Sequence, residues 1–207
     1  MPKYTVQQGD SIPSIAEDNG FFWETIWNHP ENAQLKAKRK TPNQLYPGDE
    51  VFVPELRKRV ESRPTDARHT FKRKGAPAKL RVRLLMLNEP RKNEPYVLDI
   101  DGKQIKGTTD GDGKIEQFMP PNAKSGKIIL KGGKEIINLR IGHLDPIDEI
   151  SGVQQRLNNL GFNAGSEDGE LDDQTHSALR VFQARYGLEA SGEVDESTRA
   201  KLKEMHE

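Results

Sequence analysis

The feature that most constrains this chain is an octapeptide that occurs twice near its C-terminus. Asp168-Gly169-Glu170-Leu171-Asp172-Asp173-Gln174-Thr175 is answered 23 residues later by Ser191-Gly192-Glu193-Val194-Asp195-Glu196-Ser197-Thr198. Each copy reads as a glycine turn, one apolar plug, an aspartate N-cap and the first turn of a helix. Each also runs on to a leucine, Leu179 or Leu202. Ile150, Val153, Leu157 and Leu160 form an apolar face ahead of the first copy. Ala178, Leu179, Phe182 and Tyr186 form a second face, and Thr198, Leu202 and Met205 a third. Helical spacing in all three segments predicts a small three-helix domain over 146–207. Its two similar loops would leave a groove between them.

The other 145 residues read differently. With 33% apolar and 31% charged residues, the chain is too polar for one large core, and it suits several small domains. Zero net charge hides an asymmetry: residues 1–83 carry 16 basic against 10 acidic side chains, and residues 145–207 carry 6 against 14. Residues 1–55 form one unit. Tyr4-Thr5-Val6 is a strand, and Asp10 or Ser11 caps a helix with Pro13 in its first turn. Trp23, Ile26 and Trp27 mark a second helix, a basic loop follows, and Val51-Phe52-Val53 is the returning strand. Residues 56–78 are a basic linker, in which Arg57-Lys58-Arg59, Arg63 and Lys72-Arg73-Lys74 sit among polar residues and prolines. Residues 79–145 are β-rich. Leu80, Val82, Leu84 and Met86 alternate with Arg81, Arg83 and Leu85, and strands follow at 96–100, 115–118, 127–130 and 135–141. The prediction is a small antiparallel sandwich.

Two of these regions resemble known families. Tyr4-Thr5-Val6, Gly9-Asp10-Ser11-Ile12, Ser14-Ile15-Ala16, Gly20, Leu45-Tyr46-Pro47-Gly48-Asp49 and Val51 to Pro54 resemble a LysM domain, the βααβ module that binds N-acetylglucosamine polymers. The resemblance implies a shallow sugar groove between Gly9, Asp10, Ser11 and Ile12 on one side and Asn28, His29, Pro30 and Asn32 on the other. The chain departs from that family at Pro13 and in a second loop lengthened by Lys36 to Lys40. Val153-Gln154-Gln155-Arg156-Leu157, Leu160-Gly161-Phe162, Asp168-Gly169, Thr175, Ala178-Leu179, Phe182-Gln183, Gly187-Leu188, Gly192 and Thr198 resemble the peptidoglycan-binding type 1 domain. This implies a second ligand groove at Asp168, Gly169 and Gly192. The middle region is similar to transthyretin-like sandwiches. The fold class expected is therefore multidomain α+β. The combined architecture also resembles accessory proteins of type VI secretion and other contractile injection systems.

Enzymatic alternatives fail on residue types. The absence of cysteine removes thiol nucleophiles and disulfides. His29, His69, His143, His176 and His206 are scattered, and none pairs at the spacing of a zinc helix. No Gly-x-Ser-x-Gly or Ser-x-x-Lys nucleophile motif occurs. Asp110-Gly111-Asp112-Gly113 lacks the rest of a calcium loop and reads as a hairpin turn. Glu116 and Asp99 are the only carboxylates worth testing as an acid/base pair. The expectation is a non-enzyme without metal or cofactor.

The basic linker lacks the interleaved aromatics of a nucleic-acid surface, so no nucleic-acid partner is expected. No apolar run approaches a membrane span, so no insertion is expected either. The N-terminus lacks the apolar run of a signal peptide. The expected protein is made in the cytoplasm, reaches the periplasm or cell wall through an injection machine, and holds a partner to peptidoglycan. The alternatives are a docking adaptor for spike or effector proteins, built from wall-binding folds that have lost their ligand, and a wall hydrolase.

Overall fold

The computed structural model describes residues 3–56, 62, 64–68, 78–87 and 89–206. The basic groups expected in the linker, Arg57-Lys58-Arg59, Arg63 and Lys72-Arg73-Lys74, lie outside them. The chain falls into two compact units: Met1–Asn43 with Pro47–His143, and Gln44–Tyr46 with Leu144–Glu207. No helix among the described residues is long and apolar enough to cross a membrane.

The first unit opens with strand β1 (Lys3–Thr5), which pairs antiparallel with β2 (Glu50–Phe52). Helix α1 (Ile12–Asp18) begins at Ser11. The Ser11 hydroxyl accepts from the Ser14 N–H, and the Ser14 side chain accepts from the Ser11 N–H, so two otherwise orphaned donors are satisfied reciprocally. Pro13 stands in the first turn, where its missing N–H removes no helical bond. Helix α2 (Trp23–Trp27) buries Ile26 and Trp27. The lengthened loop expected at Lys36 to Lys40 is instead a third helix, α3 (Ala33–Arg39), ended by Lys40 in the left-handed region at φ 60°. Alanine, leucine, lysine and arginine are all strong helix formers. Burial of Leu35 and Arg39 gives α3 an inward face despite its basic composition.

Eight strands follow: β3 (Ala78–Arg83), β4 (Leu85–Met86), β5 (Glu89–Pro90), β6 (Pro95–Ile100), β7 (Lys103–Thr108), β8 (Lys114–Met119), β9 (Ser125–Leu130) and β10 (Glu135–Arg140). Four of them form an antiparallel sheet in the order β10-β9-β6-β7. β3 pairs with β8, and β4 with β5. The four-stranded sheet and the β3–β8 ribbon share one core, in which Leu98, Ile115, Ile128 and Leu130 are essentially inaccessible. The period-two face expected at 80–86 holds through Leu84 and breaks after it. Leu84 is buried, but the chain then turns into the short β4–β5 ribbon, which leaves Met86 48% exposed rather than inward.

In the second unit, helices α4 (Ile150–Asn159), α5 (Asp173–Arg185) and α6 (Glu196–His206) pack around Val153, Leu157, Ala164, Ala178, Leu179, Phe182 and Leu202. Phe182 meets Phe162 edge-on at 5.3 Å and Tyr186 at 4.8 Å. Of the two expected plugs, Val194 packs against this core. Leu171 does not, because it faces outward and is 39% exposed.

Candidate functional site

The first predicted set divides sharply by exposure. Gly9, Asp10 and Ile12 are buried, and Ser11 is occupied as the cap of α1. The Asp10 carboxylate accepts from the Tyr4 hydroxyl (2.7 Å), the Gln7 N–H (2.9 Å) and the Lys124 ammonium (3.1 Å). Burial alone would raise its pKa, but these three donors outweigh that effect and hold it below the usual carboxylate value. The same hydrogen bond, with burial, pushes Tyr4 up to about 12.

Asn32 is 1% exposed and also structural. Its amide donates to the carbonyls of Ile26 and Phe52 at 2.9 Å each and accepts from the Phe52 N–H at 2.8 Å. It thus gives Phe52 the donor and acceptor that a further strand would supply. Asn32→Ala is therefore expected to lower stability by about 2–3 kcal/mol, since buried backbone groups lose their partners. Tryptophan-monitored urea unfolding reads this directly. Asn28, His29 and Pro30 remain accessible to varying degrees, with the His29 ring 4.4 Å from Phe52 and the Asn28 side chain accepting from Lys36.

The second predicted set lies in the repeat, and its geometry is the same in both copies. Two fully buried glutamines, Gln154 on α4 and Gln183 on α5, each hold one loop. Gln154 Oε1 accepts from the Gly169 N–H (2.9 Å), while its Nε2 donates to the Glu170 carbonyl (2.8 Å) and Thr175 Oγ1 (3.1 Å). Gln183 Oε1 accepts from the Gly192 N–H (2.8 Å), while its Nε2 donates to the Glu193 carbonyl and Thr198 Oγ1 at 2.9 Å each. Asp172 and Asp195 then cap α5 and α6, each accepting at 2.7 Å from the N–H of its threonine. Those N–H bonds, joined by the threonine hydroxyls, hold both aspartates below the ordinary carboxylate pKa.

Asp168 accepts from the Glu170 N–H at 3.0 Å, so it builds its own turn. Gly192 sits at φ 80°, and a Cβ there would lie 2.9 Å from the Arg180 side chain, so only glycine fits without adjustment. Asp168, Gly169 and Gly192 therefore shape the loops. What the loops present outward is backbone in a fixed conformation, flanked by exposed Leu171 and the acidic caps.

The two suspected carboxylates are held by cations. Glu116 pairs with Lys79 and Arg81, whose hydrogen bond and charge lower its pKa. Asp99 accepts from the Gly102 N–H and lies 3.7 Å from Lys127. On the ribbons, Asp99 belongs to β6 and Glu116 to β8, strands that do not pair with each other. Among the described residues, no group of three His, Cys, Asp or Glu side chains is placed to hold a metal.

At the end of α6, His206 is held well below its ordinary pKa. Burial, then the positive charge of Arg156, brings it down from 6.5 to about 4, and Asn159 Nδ2 lies 3.1 Å from its Nε2. The folded state therefore resists a proton that the unfolded chain accepts. Its contribution is complete above pH 6.5 and is lost as pH falls from 6.5 towards 4, by at most about 3 kcal/mol. Unfolding of the full chain followed by helical circular dichroism should show this slope. His206→Gln should flatten it in that window.

Sequence reasoning quoted Gln154 and Gln183 without assigning them a role, and it missed Lys124 and Asn32 as structural partners. The signal for the glutamines was present: Gln183 stands four residues after Leu179, on the apolar stripe, where a polar group must find internal partners.

Comparison with known proteins bears on the second set. Residues 147–202 match the family described as "Putative peptidoglycan binding domain". That match supports peptidoglycan binding and association with the cell wall. The chain is also similar to N-acetylmuramoyl-L-alanine amidase CwlM of Mycobacterium tuberculosis (strain ATCC 25618 / H37Rv), at 47% identity over 45 residues. Those residues make up 22% of this chain and 11% of that protein, so the likeness spans a small part of either. No solved structure matches the chain.

Proposed function

We propose that this chain is a non-catalytic protein that attaches to peptidoglycan through its C-terminal unit and holds a partner at the cell wall. The observation that carries the reading is the family match over 147–202, on a domain whose two loops are locked by Gln154 and Gln183. A rigid loop pair favours ligand binding, because little conformational entropy remains to be lost on association. The absence of catalysis rests on Glu116 and Asp99, which are ion-paired on separate strands. A general acid needs a raised pKa, and that of Glu116 is lowered. The partner class proposed is a component of a contractile injection or type VI secretion machine, on the strength of the architecture read in the sequence.

The direct test is sedimentation with purified sacculi. The full chain is expected to pellet with them and to release no soluble dye from labelled wall. A chain that stays in the supernatant at every concentration tested would sink the wall-binding reading. Dye release that disappears on Glu116→Gln or Asp99→Asn would sink the non-catalytic one.

A further inference from the structure

In the loop after β1, Gly9 and Asp10 are buried where the loop meets the turn after β10, while Gln7 and Gln8 at its tip stay exposed. A Cβ on Gly142 would lie 2.6 Å from the Gly9 carbonyl oxygen, and a Cβ on Gly9 would lie 3.0 Å from the His143 ring. Both glycines have positive φ, 90° at Gly9 and 77° at Gly142, so the two backbones approach where any side chain would keep them apart. Polar contacts surround this point. Lys124 donates to Asp10, Gln8 Nε2 donates to the His143 carbonyl at 3.0 Å, and Asn122 donates to Asp18 at 3.3 Å. The Ile141 N–H donates to the Lys124 carbonyl at 2.9 Å, which ties the Lys124 loop to the turn carrying Gly142. Asp10 is fixed from its own side by Tyr4 and Gln7, so it presents Lys124 with an acceptor already in position.

We propose that Gln8-Gly9-Asp10 is the docking surface for the β-domain of the same chain, and that this contact makes the N-terminal helical module and the β-domain one mechanical body. The partner of the loop is thus internal, and the loop is not an open ligand edge. The proposal does not depend on wall binding.

The chain carries its own reporter. Its two tryptophans, Trp23 and Trp27, both lie in the N-terminal module, so their fluorescence follows that module alone. In the full-length protein, the tryptophan transition on heating should coincide with loss of amide protection in the β6–β9 ladder. Lys124→Glu sets a like charge against Asp10, and Gly142→Val blocks the backbone contact. Each is expected to lower the tryptophan midpoint by about 4–8 °C, the shift that about 1 kcal/mol produces in a small domain. The ladder amides should shift less, so the two transitions separate. Lys124 is about half exposed, so the Lys124→Glu chain keeps its β-core if the valine variant fails to fold. A tryptophan midpoint unmoved by Lys124→Glu, or two separate transitions in the unmodified chain, would overturn the proposal.

Discussion

Replacing Gln183 with leucine should cost the C-terminal unit about 3–5 kcal/mol, although the two side chains have similar volume. The loss is electrostatic. The leucine leaves the Gly192 N–H, the Glu193 carbonyl and the Thr198 hydroxyl without the amide that now holds all three at 2.8–2.9 Å. A buried polar group stripped of its partner costs about 1–3 kcal/mol, and water can recover only part of it here because Gly192 and Thr198 are buried. Gln154→Leu removes the equivalent three bonds from the first loop, but Gly169 is only half-buried and can turn to solvent. The cost should therefore be smaller, about 2–3 kcal/mol. Urea unfolding of the full chain, followed by helical circular dichroism, gives both midpoints. Equal losses at the two sites would mean that exposure of the glycine does not set the cost. A loss under about 1 kcal/mol at Gln183 would mean that the loop is not held by its amide. At temperatures where both variants stay folded, their pelleting with sacculi reports whether the loops take part in wall binding.

How much of this was legible beforehand follows from the range of the forces involved. The helices of the C-terminal unit were readable because capping and apolar spacing are local. Asp172 and Asp195 cap helices where the repeat placed them, and Val153, Leu157, Leu179 and Leu202 lie in the core. The strands at 96–100 and 135–141 followed from alternation, whereas β7 was missed because Lys103-Gln104-Ile105-Lys106-Gly107-Thr108 carries a single apolar residue. It is an edge strand held by its ladder to β6, and the sequence does not encode that pairing locally. Met86 and Leu171 went wrong because period and spacing cannot foresee where a chain turns away from its core. The candidate sites were harder still. Gly9, Asp10 and Asn32 have the residue types of a ligand surface, but their partners lie up to 114 residues away, as Lys124 does for Asp10. No local pattern records such a contact, so the same residues read as open when they are enclosed.

The second large effect is expected at Arg39, in the helix that replaced an expected loop. Its guanidinium donates from Nε to Asp49 Oδ2 at 2.6 Å and from Nη2 to Oδ1 at 2.9 Å, with only 2% and 6% of the two side chains exposed. The fork geometry satisfies both carboxylate oxygens at once, which lysine could not reproduce. Arg39→Met removes the forked counter-ion from the buried Asp49 carboxylate and leaves it the solvent-exposed Lys38 ammonium at 3.5 Å, so it should cost about 3–5 kcal/mol. Lys38 also reaches Asp49, at 3.5 Å, but it is 61% exposed, so Lys38→Ala should cost under about 1 kcal/mol. The contrast separates a buried fork from a surface attraction of the same sign and target. Arg39→Met with Asp49→Leu removes both charges together, so the double variant should recover most of the loss seen in Arg39→Met alone. Tryptophan fluorescence in urea follows all four proteins, because Trp23 and Trp27 share the module with this pair. If the double variant were as unstable as Arg39→Met, the loss would come from packing of the arginine stem rather than from a stranded carboxylate. If Lys38→Ala matched Arg39→Met, the basic face of α3 would act on Asp49 through diffuse charge, and the fork would lose its special place.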